Sequence, residues 1–266
     1  MLPLLFKIGP FPVHTYGLLI AIGFLVAVST IRRLSSRNGL DPNQMADFAF
    51  WLMVVGFLGA RVLFVVTRWQ DYAADPLAIL RVWEGGLVFF GGPLAGIPFG
   101  LWLMKKKGIS GWKAIDVFLP GVTIAHAFGR LGCVAAGCCY GRPTSLPWGI
   151  RFNSELVDVS HRGIPLHPVQ LYESAALAVL FAGLWWLFPR RKFDGQVGLT
   201  YLLVYPILRS ILEEFRGDSV RGFVIDGVLS TSQFISVMVF ITALVVLLRR
   251  LSGVVSSPVP GGRSRA

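Results

Sequence analysis

Seven predominantly apolar runs constrain this chain more than any other feature: residues 16–31, 46–67, 85–104, 114–130, 171–188, 197–212 and 232–248. A helix needs about 20 mainly apolar residues to cross the hydrocarbon of a bilayer, and these runs approach or reach that length. Composition agrees, with 54% hydrophobic and only 15% charged residues and a mean hydropathy of +0.65, far from the balance of a soluble domain. The expected fold is an all-α integral membrane protein of about seven transmembrane helices. A single polytopic domain over residues 1–252 would precede a Ser-, Pro- and Gly-rich disordered tail, 253–266. The fourth run holds Pro120, Gly121, His126, Gly129 and Arg130. It is expected to be a broken or re-entrant segment, which a membrane tolerates only where backbone lines an enclosed cavity.

Basic residues set the orientation. Arg32, Arg33 and Arg37 follow the first run, Lys105, Lys106, Lys107 and Lys113 the third, Arg190, Arg191 and Lys192 the fifth, and Arg249, Arg250, Arg263 and Arg265 the seventh. Loops rich in Lys and Arg stay cytoplasmic, so the N-terminus is expected outside and the C-terminus inside, with outer loops 68–84, 131–170 and 213–231. The net charge of +11 is then topological. No basic face with groove-reading or stacking elements is visible, and no nucleic-acid partner is expected. Residues 1–13 lack the charged start and small-residue cleavage site of a signal peptide, and Pro3, Pro10 and Pro12 make them an outer-surface segment rather than a helix. Gly91 and Gly92 in the third run allow close helix approach.

Charge inside the apolar runs points to function. Arg61, His126, Arg130 and Arg209 lie within or at the ends of such runs, where a guanidinium costs from about 3 to above 10 kcal/mol. The expectation is that they face an anionic ligand. Arg130 and Arg142 flank Gly132, Gly137 and Gly141; glycines let backbone N–H groups converge on an oxyanion, and arginine binds phosphate bidentately. The competing reading is a packed glycine loop with Arg130 snorkelling to the interface. Tyr205, Arg209, Glu213 and Arg216 recur at spacings of four, four and three, which stacks them on one helix face. That stripe lines a polar cavity or forms an intrahelical ladder of modest worth. His167, Pro168, Gln170, Tyr172 and Glu173 open the fifth run, to cap, orient or bind, and Tyr16 belongs equally to a site or to the interfacial tyrosine belt.

The cysteines fall in one short run, Cys133, Cys138 and Cys139. Their linear spacing matches no zinc motif, and neither a metal nor a cofactor is expected. A nucleophile with His126 as base, an outward disulfide and packed free thiols all stay open.

Together, several ordered motifs resemble the bacterial prolipoprotein diacylglyceryl transferases: Tyr16-Gly17-Leu18-Leu19, Gly91-Gly92, Gly129-Arg130-Leu131-Gly132 through Gly141-Arg142, His167-Pro168 to Glu173, and the Tyr205/Arg209/Glu213 stripe. The resemblance runs from about Tyr16 to Leu248. It implies a seven-helix enzyme of the bacterial inner membrane whose partners are phosphatidylglycerol and a prolipoprotein bearing a lipobox cysteine. The diacylglyceryl group passes to that thiol as a thioether and glycerol phosphate leaves. Arg130 and Arg209 would stabilise the leaving phosphate, with His126 as a candidate base and Tyr16, Arg130, Gly141, Arg142, Gln170, Tyr172, Glu173, Tyr205 and Glu213 as substrate-binding residues. A thiol of pKa about 8.5 ionises readily in cationic surroundings, so a base is not strictly required. The chain departs from the family where Phe90 replaces a histidine before Gly91-Gly92, Cys133 an asparagine and Cys138 an acidic residue. The alternative class is a transporter or binding protein for an anionic solute or lipid, although the paired discontinuous repeats of a transporter are not found.

Overall fold

A computed structural model describes residues 4–8, 11–73, 75–82, 85–153, 157–217, 222–225 and 228–255. Its helices are α1 (Thr15–Arg37), α2 (Pro42–Thr67), the short α3 (Trp69–Ala73), α4 (Gly91–Lys107), α5 (Gly111–Ala136), α6 (Val169–Leu187), α7 (Gln196–Glu213) and α8 (Thr231–Val255). Every apolar run coincides with one of the long helices. Five of them, α1, α2, α5, α6 with its extension to Arg190, and α8, are long and apolar enough to cross a membrane. The other two, α4 and α7, have 17 and 18 residues and internal prolines at Pro98 and Pro206. Val66, Leu94 and Val179 are among the many large apolar side chains left exposed on helix surfaces, as expected where lipid rather than water is the solvent. Of the tail, 253–255 continue α8, whereas 256–266 lie outside the described residues.

Two expectations are corrected. The fourth run is one continuous helix, α5, with Pro120 inside it. A single proline removes one N–H donor, and neighbouring groups can absorb that loss in a membrane helix; in the adjoining turn the Thr123 hydroxyl donates to the Leu119 carbonyl at 2.6 Å. The helix ends only at Ala136. The third run, by contrast, becomes helical at Gly91 rather than Gly85, because Gly85 and Gly86 take left-handed backbone angles, φ 88° and 80°.

The chain divides into two compact units, one of residues 28–118 and the other of residues 1–27 and 119–266. In the first, α2 packs on α4 where Gly59 meets Gly91: a Cβ on either glycine would collide with the opposing helix. This is the close approach that small residues permit. Val88 N–H donates to Ala60 O at 3.1 Å, and Phe48 meets Phe118 edge to face at 4.9 Å.

In the second unit, α6 packs on α7 and α7 on α8. Before α1, in the segment expected at the outer surface and not as a helix, β1 (Leu4–Ile8) pairs antiparallel with β2 (Phe11–His14). The connection from α5 to α6 carries its own small core, Tyr140, Phe152, Val157 and Leu166, with β3 (Ile150–Arg151) antiparallel to β4 (Pro165–Leu166). A further pair, β5 (Phe223–Ile225) and β6 (Leu229–Ser230), leads into α8.

Candidate active site

Glu173 lies in the first turns of α6, one helical step after Gln170, and both are buried. A buried carboxylate is tolerated only when paired and hydrogen-bonded. Two other helices meet that need. From α5, Arg130 Nε lies 3.0 Å from Glu173 Oε2, and His126 Nε2 lies 3.5 Å from Oε1. From α7, the Tyr205 hydroxyl donates to Oε1 at 3.4 Å. His126 and Arg130 are four residues apart on one face of α5, and Arg130 Nε also donates to His126 Nε2 at 3.2 Å. That nitrogen is therefore an acceptor already engaged in orienting the guanidinium, which favours positioning over general-base work. Tyr205 is fixed by stacking on Tyr201, with ring centroids 5.4 Å apart and planes 3° from parallel, and its other neighbour is the His126 ring at 5.6 Å.

A second ion pair lies further along α7. Arg209 Nη2 and Glu213 Oε2 are 2.6 Å apart, and Nη2 also donates to Ser232 Oγ, in the first turn of α8, at 3.1 Å. Arg209 Nη1 is buried and has no hydrogen-bond partner among the described residues. A buried guanidinium nitrogen without an acceptor is costly, and an anion supplied by a ligand would satisfy it. The expected stripe is thus shortened: Tyr205, Arg209 and Glu213 share α7, but the helix ends at Glu213 and Arg216 instead forms a backbone bridge with Gly141. The intrahelical ladder reading retains the Arg209–Glu213 pair.

The glycine–arginine loop is held largely by its own backbone. Gly141 N–H donates to His167 O at 3.0 Å, Arg142 N–H to Phe215 O at 2.8 Å, His167 N–H to Arg142 O at 3.0 Å and Gly217 N–H to Tyr140 O at 3.2 Å. The N–H group of Gly141, one of those expected to converge on an oxyanion, is committed to a protein carbonyl, as is that of Arg142. The Arg142 side chain likewise donates from Nε to Arg216 O at 3.2 Å. Gln170 Nε2 donates to Cys138 O at 2.6 Å, which ties the loop to α6, and its buried Oε1 has no partner among the described residues. Tyr172 Oη accepts from Trp148 Nε1 at 2.7 Å and lies 3.3 Å from His167 Nδ1. Tyr16 packs its ring against Gly132 of α5. Trp148, Tyr201 and Ser232 were not anticipated, since a lone tryptophan, tyrosine or serine in such a sequence carries no spacing signal.

Arg61, the fourth charge expected to face a ligand, does something else. Its Nε donates to Ile79 O at 3.0 Å, Nη1 to Gly85 O at 2.6 Å and Gly86 O at 3.0 Å, and Nη2 to Ala78 O at 2.9 Å and Arg81 O at 3.4 Å. Its guanidinium is saturated by backbone and anchors residues 78–81 and 85–86 to α2. Phe90 stands at the N-cap of α4.

The cysteines are free, and their sulfurs lie within 4.8 Å of one another, a group able to hold a metal ion. Hydrogen bonds from the Cys133 and Cys138 thiols, aided by the Arg216 and Arg130 charges, hold the Cys139 thiol below the ordinary thiol range. The hydrogen bonds to Cys133 and Cys139, together with burial, push Cys138 up.

The buried arginines of α5 and α7 are thus each paired with a carboxylate, Arg130 with Glu173 of α6 and Arg209 with Glu213. The family profile described as prolipoprotein diacylglyceryl transferase matches residues 3–249. The chain belongs to this family. It is a multi-pass membrane protein of a transferase family, 35% identical over 92% of its length to the phosphatidylglycerol–prolipoprotein diacylglyceryl transferase of Clostridium tetani, of which 96% is covered. It is 33% identical to the enzyme of the same name from Synechococcus elongatus, over 89% of this chain and 83% of that one, and 29% identical to that of Finegoldia magna, over 95% and 97%.

Proposed function

We propose that this chain transfers the diacylglyceryl group of phosphatidylglycerol to the lipobox cysteine of a prolipoprotein. The buried, unpartnered Arg209 Nη1 carries this reading, because it needs an anionic acceptor in the same unit as the Arg130–Glu173 pair. The phosphodiester of the lipid supplies one. Arg209 and Arg130 stabilise the negative charge that builds on the phosphate oxygens as the glycerol C–O bond breaks, in a site of low dielectric. The acceptor thiol, its proton lost to solvent, attacks that glycerol carbon as thiolate, the C–S bond forms, and glycerol phosphate leaves with the bonding pair. Glu173 and Glu213 hold the two guanidiniums in place, His126 and Tyr205 position Arg130 and Glu173, and Tyr16, Gln170, Tyr172, Gly141 and Arg142 shape the adjoining walls for the lipid.

The same reading takes all seven long helices as spans in a bacterial inner membrane. The N-terminus then lies outside and the basic ends of α1, α4, α6 and α8 inside, which sets the reaction toward the outer surface where the acceptor cysteine lies. The test is reconstitution of the purified protein with phosphatidylglycerol and a lipobox peptide, read by mass spectrometry. A thioether-linked diacylglyceryl peptide is the expected product. Its absence at saturating lipid, with flux of an anionic solute across the same vesicles, would transfer the site to a carrier.

A further inference from the structure

Beside the arginines lies a second cluster for which phosphate binding has no use. Cys133 belongs to the last turn of α5, and Gly137, at φ 75°, stops the helix there. The N–H groups of Gly137 and Cys138 both return to Cys133 O, at 2.9 and 3.1 Å, a reversal of the kind that closes helices at a left-handed glycine. This turn folds Cys138 back over Cys133. Cys139 then adopts φ 58°, the one left-handed non-glycine among the described residues. A non-glycine residue persists in that region only where its surroundings over-determine it, and such residues gather at functional sites. Here they do so through Gln170, buried on α6, whose Nε2 holds Cys138 O at 2.6 Å. The outcome is three free sulfurs within 4.8 Å of one another. Zinc–sulfur bonds of about 2.3 Å set sulfur–sulfur edges near roughly 3.8 Å, so side-chain adjustments of under about 1 Å would close the triangle.

We propose that Cys133, Cys138 and Cys139 form a three-thiolate centre for a thiophilic divalent cation of the zinc class, whose fourth position receives the acceptor thiol of the transfer reaction. The donor set selects against hard cations, since sulfur ligands favour zinc and other soft or borderline ions over magnesium or calcium. Three protein ligands with a place left for substrate is the pattern of catalytic rather than structural zinc. Arg130, three residues before Cys133 on α5, and Arg216, bridged to Gly141, offset the negative charge of three thiolates. The proposal rests on the function inferred above and adds how the nucleophile is made. A thiol bound to such a cation loses its proton outright, here to solvent. The resulting thiolate attacks the glycerol carbon, the C–S bond forms as the C–O bond to phosphate breaks, and the product thioether, a poorer ligand than thiolate, dissociates.

The whole protein, reduced and in detergent micelles, is titrated with Co(II) as a visible probe for Zn(II). One equivalent is expected to bind with sulfur-to-cobalt absorption. That spectrum should shift on adding a lipobox peptide with a free cysteine and stay unchanged with the serine peptide. Each of C133S, C138S and C139S should weaken affinity by more than the roughly 10–100-fold that loss of an outer-shell partner costs, with thermal unfolding reporting that the variants remain folded. Binding no tighter than in the triple serine variant overturns the proposal. So does a wild-type cobalt spectrum indifferent to the cysteine peptide, a readout that needs no variant. Full-rate thioether formation by the folded triple variant likewise overturns it while leaving the proposed function intact. A peptide-dependent cobalt spectrum in a protein that forms no thioether from phosphatidylglycerol would instead sustain the thiol-binding centre and sink the proposed function.

Discussion

Arg61 and Arg209 look alike in the sequence, each a lone guanidinium within an apolar helix, yet they solve the problem of burial in opposite ways. Arg61 directs all three of its nitrogens to backbone carbonyls between residues 78 and 86, which leaves it nothing to offer a ligand. Arg209 spends Nη2 on Glu213 and Ser232 and keeps Nη1 buried without a partner among the described residues. A charge in an apolar helix is therefore only the beginning of a functional argument. What decides the role is whether its donors are satisfied, and whether by carbonyls that must stay or by carboxylates that leave a donor over.

The strongest way to break this contrast is to remove each arginine and ask what is lost. Arg209→Ala should lower diacylglyceryl transfer by about 10²–10³-fold, the usual cost of deleting one oxyanion-stabilising donor, with the folded yield in detergent little changed. Arg130→Ala should behave in the same way. Lysine should rescue neither well, because it lacks the planar fork. Near-normal turnover in folded Arg209→Ala at saturating lipid would make that residue as structural as Arg61. Arg61→Ala should instead cost at least about 3 kcal/mol of stability, because several buried carbonyls each lose a donor at about 1–3 kcal/mol. Thermal unfolding followed by tryptophan fluorescence measures this, and activity should fall only in proportion to the folded fraction. A stable but inactive Arg61→Ala would erase the distinction.

Two smaller changes test the contacts that hold Arg130. Glu173→Gln keeps the shape but removes the charge that holds Arg130, and hydrogen bonds to charged groups are worth about 1.5–3 kcal/mol. A fall in turnover of roughly 10–100-fold follows, and a rate above that of wild type would mean that Glu173 competes with substrate rather than preparing Arg130. The smallest effect belongs to Tyr205→Phe, which deletes one 3.4 Å hydrogen bond and leaves the stack on Tyr201. The expected loss is about 0.5–1.5 kcal/mol, seen as a roughly 2–10-fold decrease in kcat. A loss as large as that of Arg209→Ala would give the hydroxyl a direct part in the reaction.

What could be read from the chain follows the range of the forces involved. Helix formation is local, so the seven apolar runs marked the seven long helices, and the spacings of His126 with Arg130 and of Tyr205, Arg209 and Glu213 put these residues on common helix faces. Errors arose where a local rule met a local exception. Pro120 was absorbed by α5, Gly85 and Gly86 delayed α4, and Arg216 lay past the last turn of α7, so its three-residue spacing from Glu213 does not place it on the same helix face.

Length, composition and periodicity act within a turn or two of chain, and they account for the helices, the apolar surfaces and the few polar groups those helices must carry. What those groups meet depends on packing in three dimensions. That packing brought Glu173 from α6 to Arg130 on α5, committed the Gly141 and Arg142 N–H groups to distant carbonyls, and gathered Cys133, Cys138 and Cys139 by a left-handed turn. A buried polar group must find its partner wherever packing supplies one, and that partner lies across space rather than along the chain.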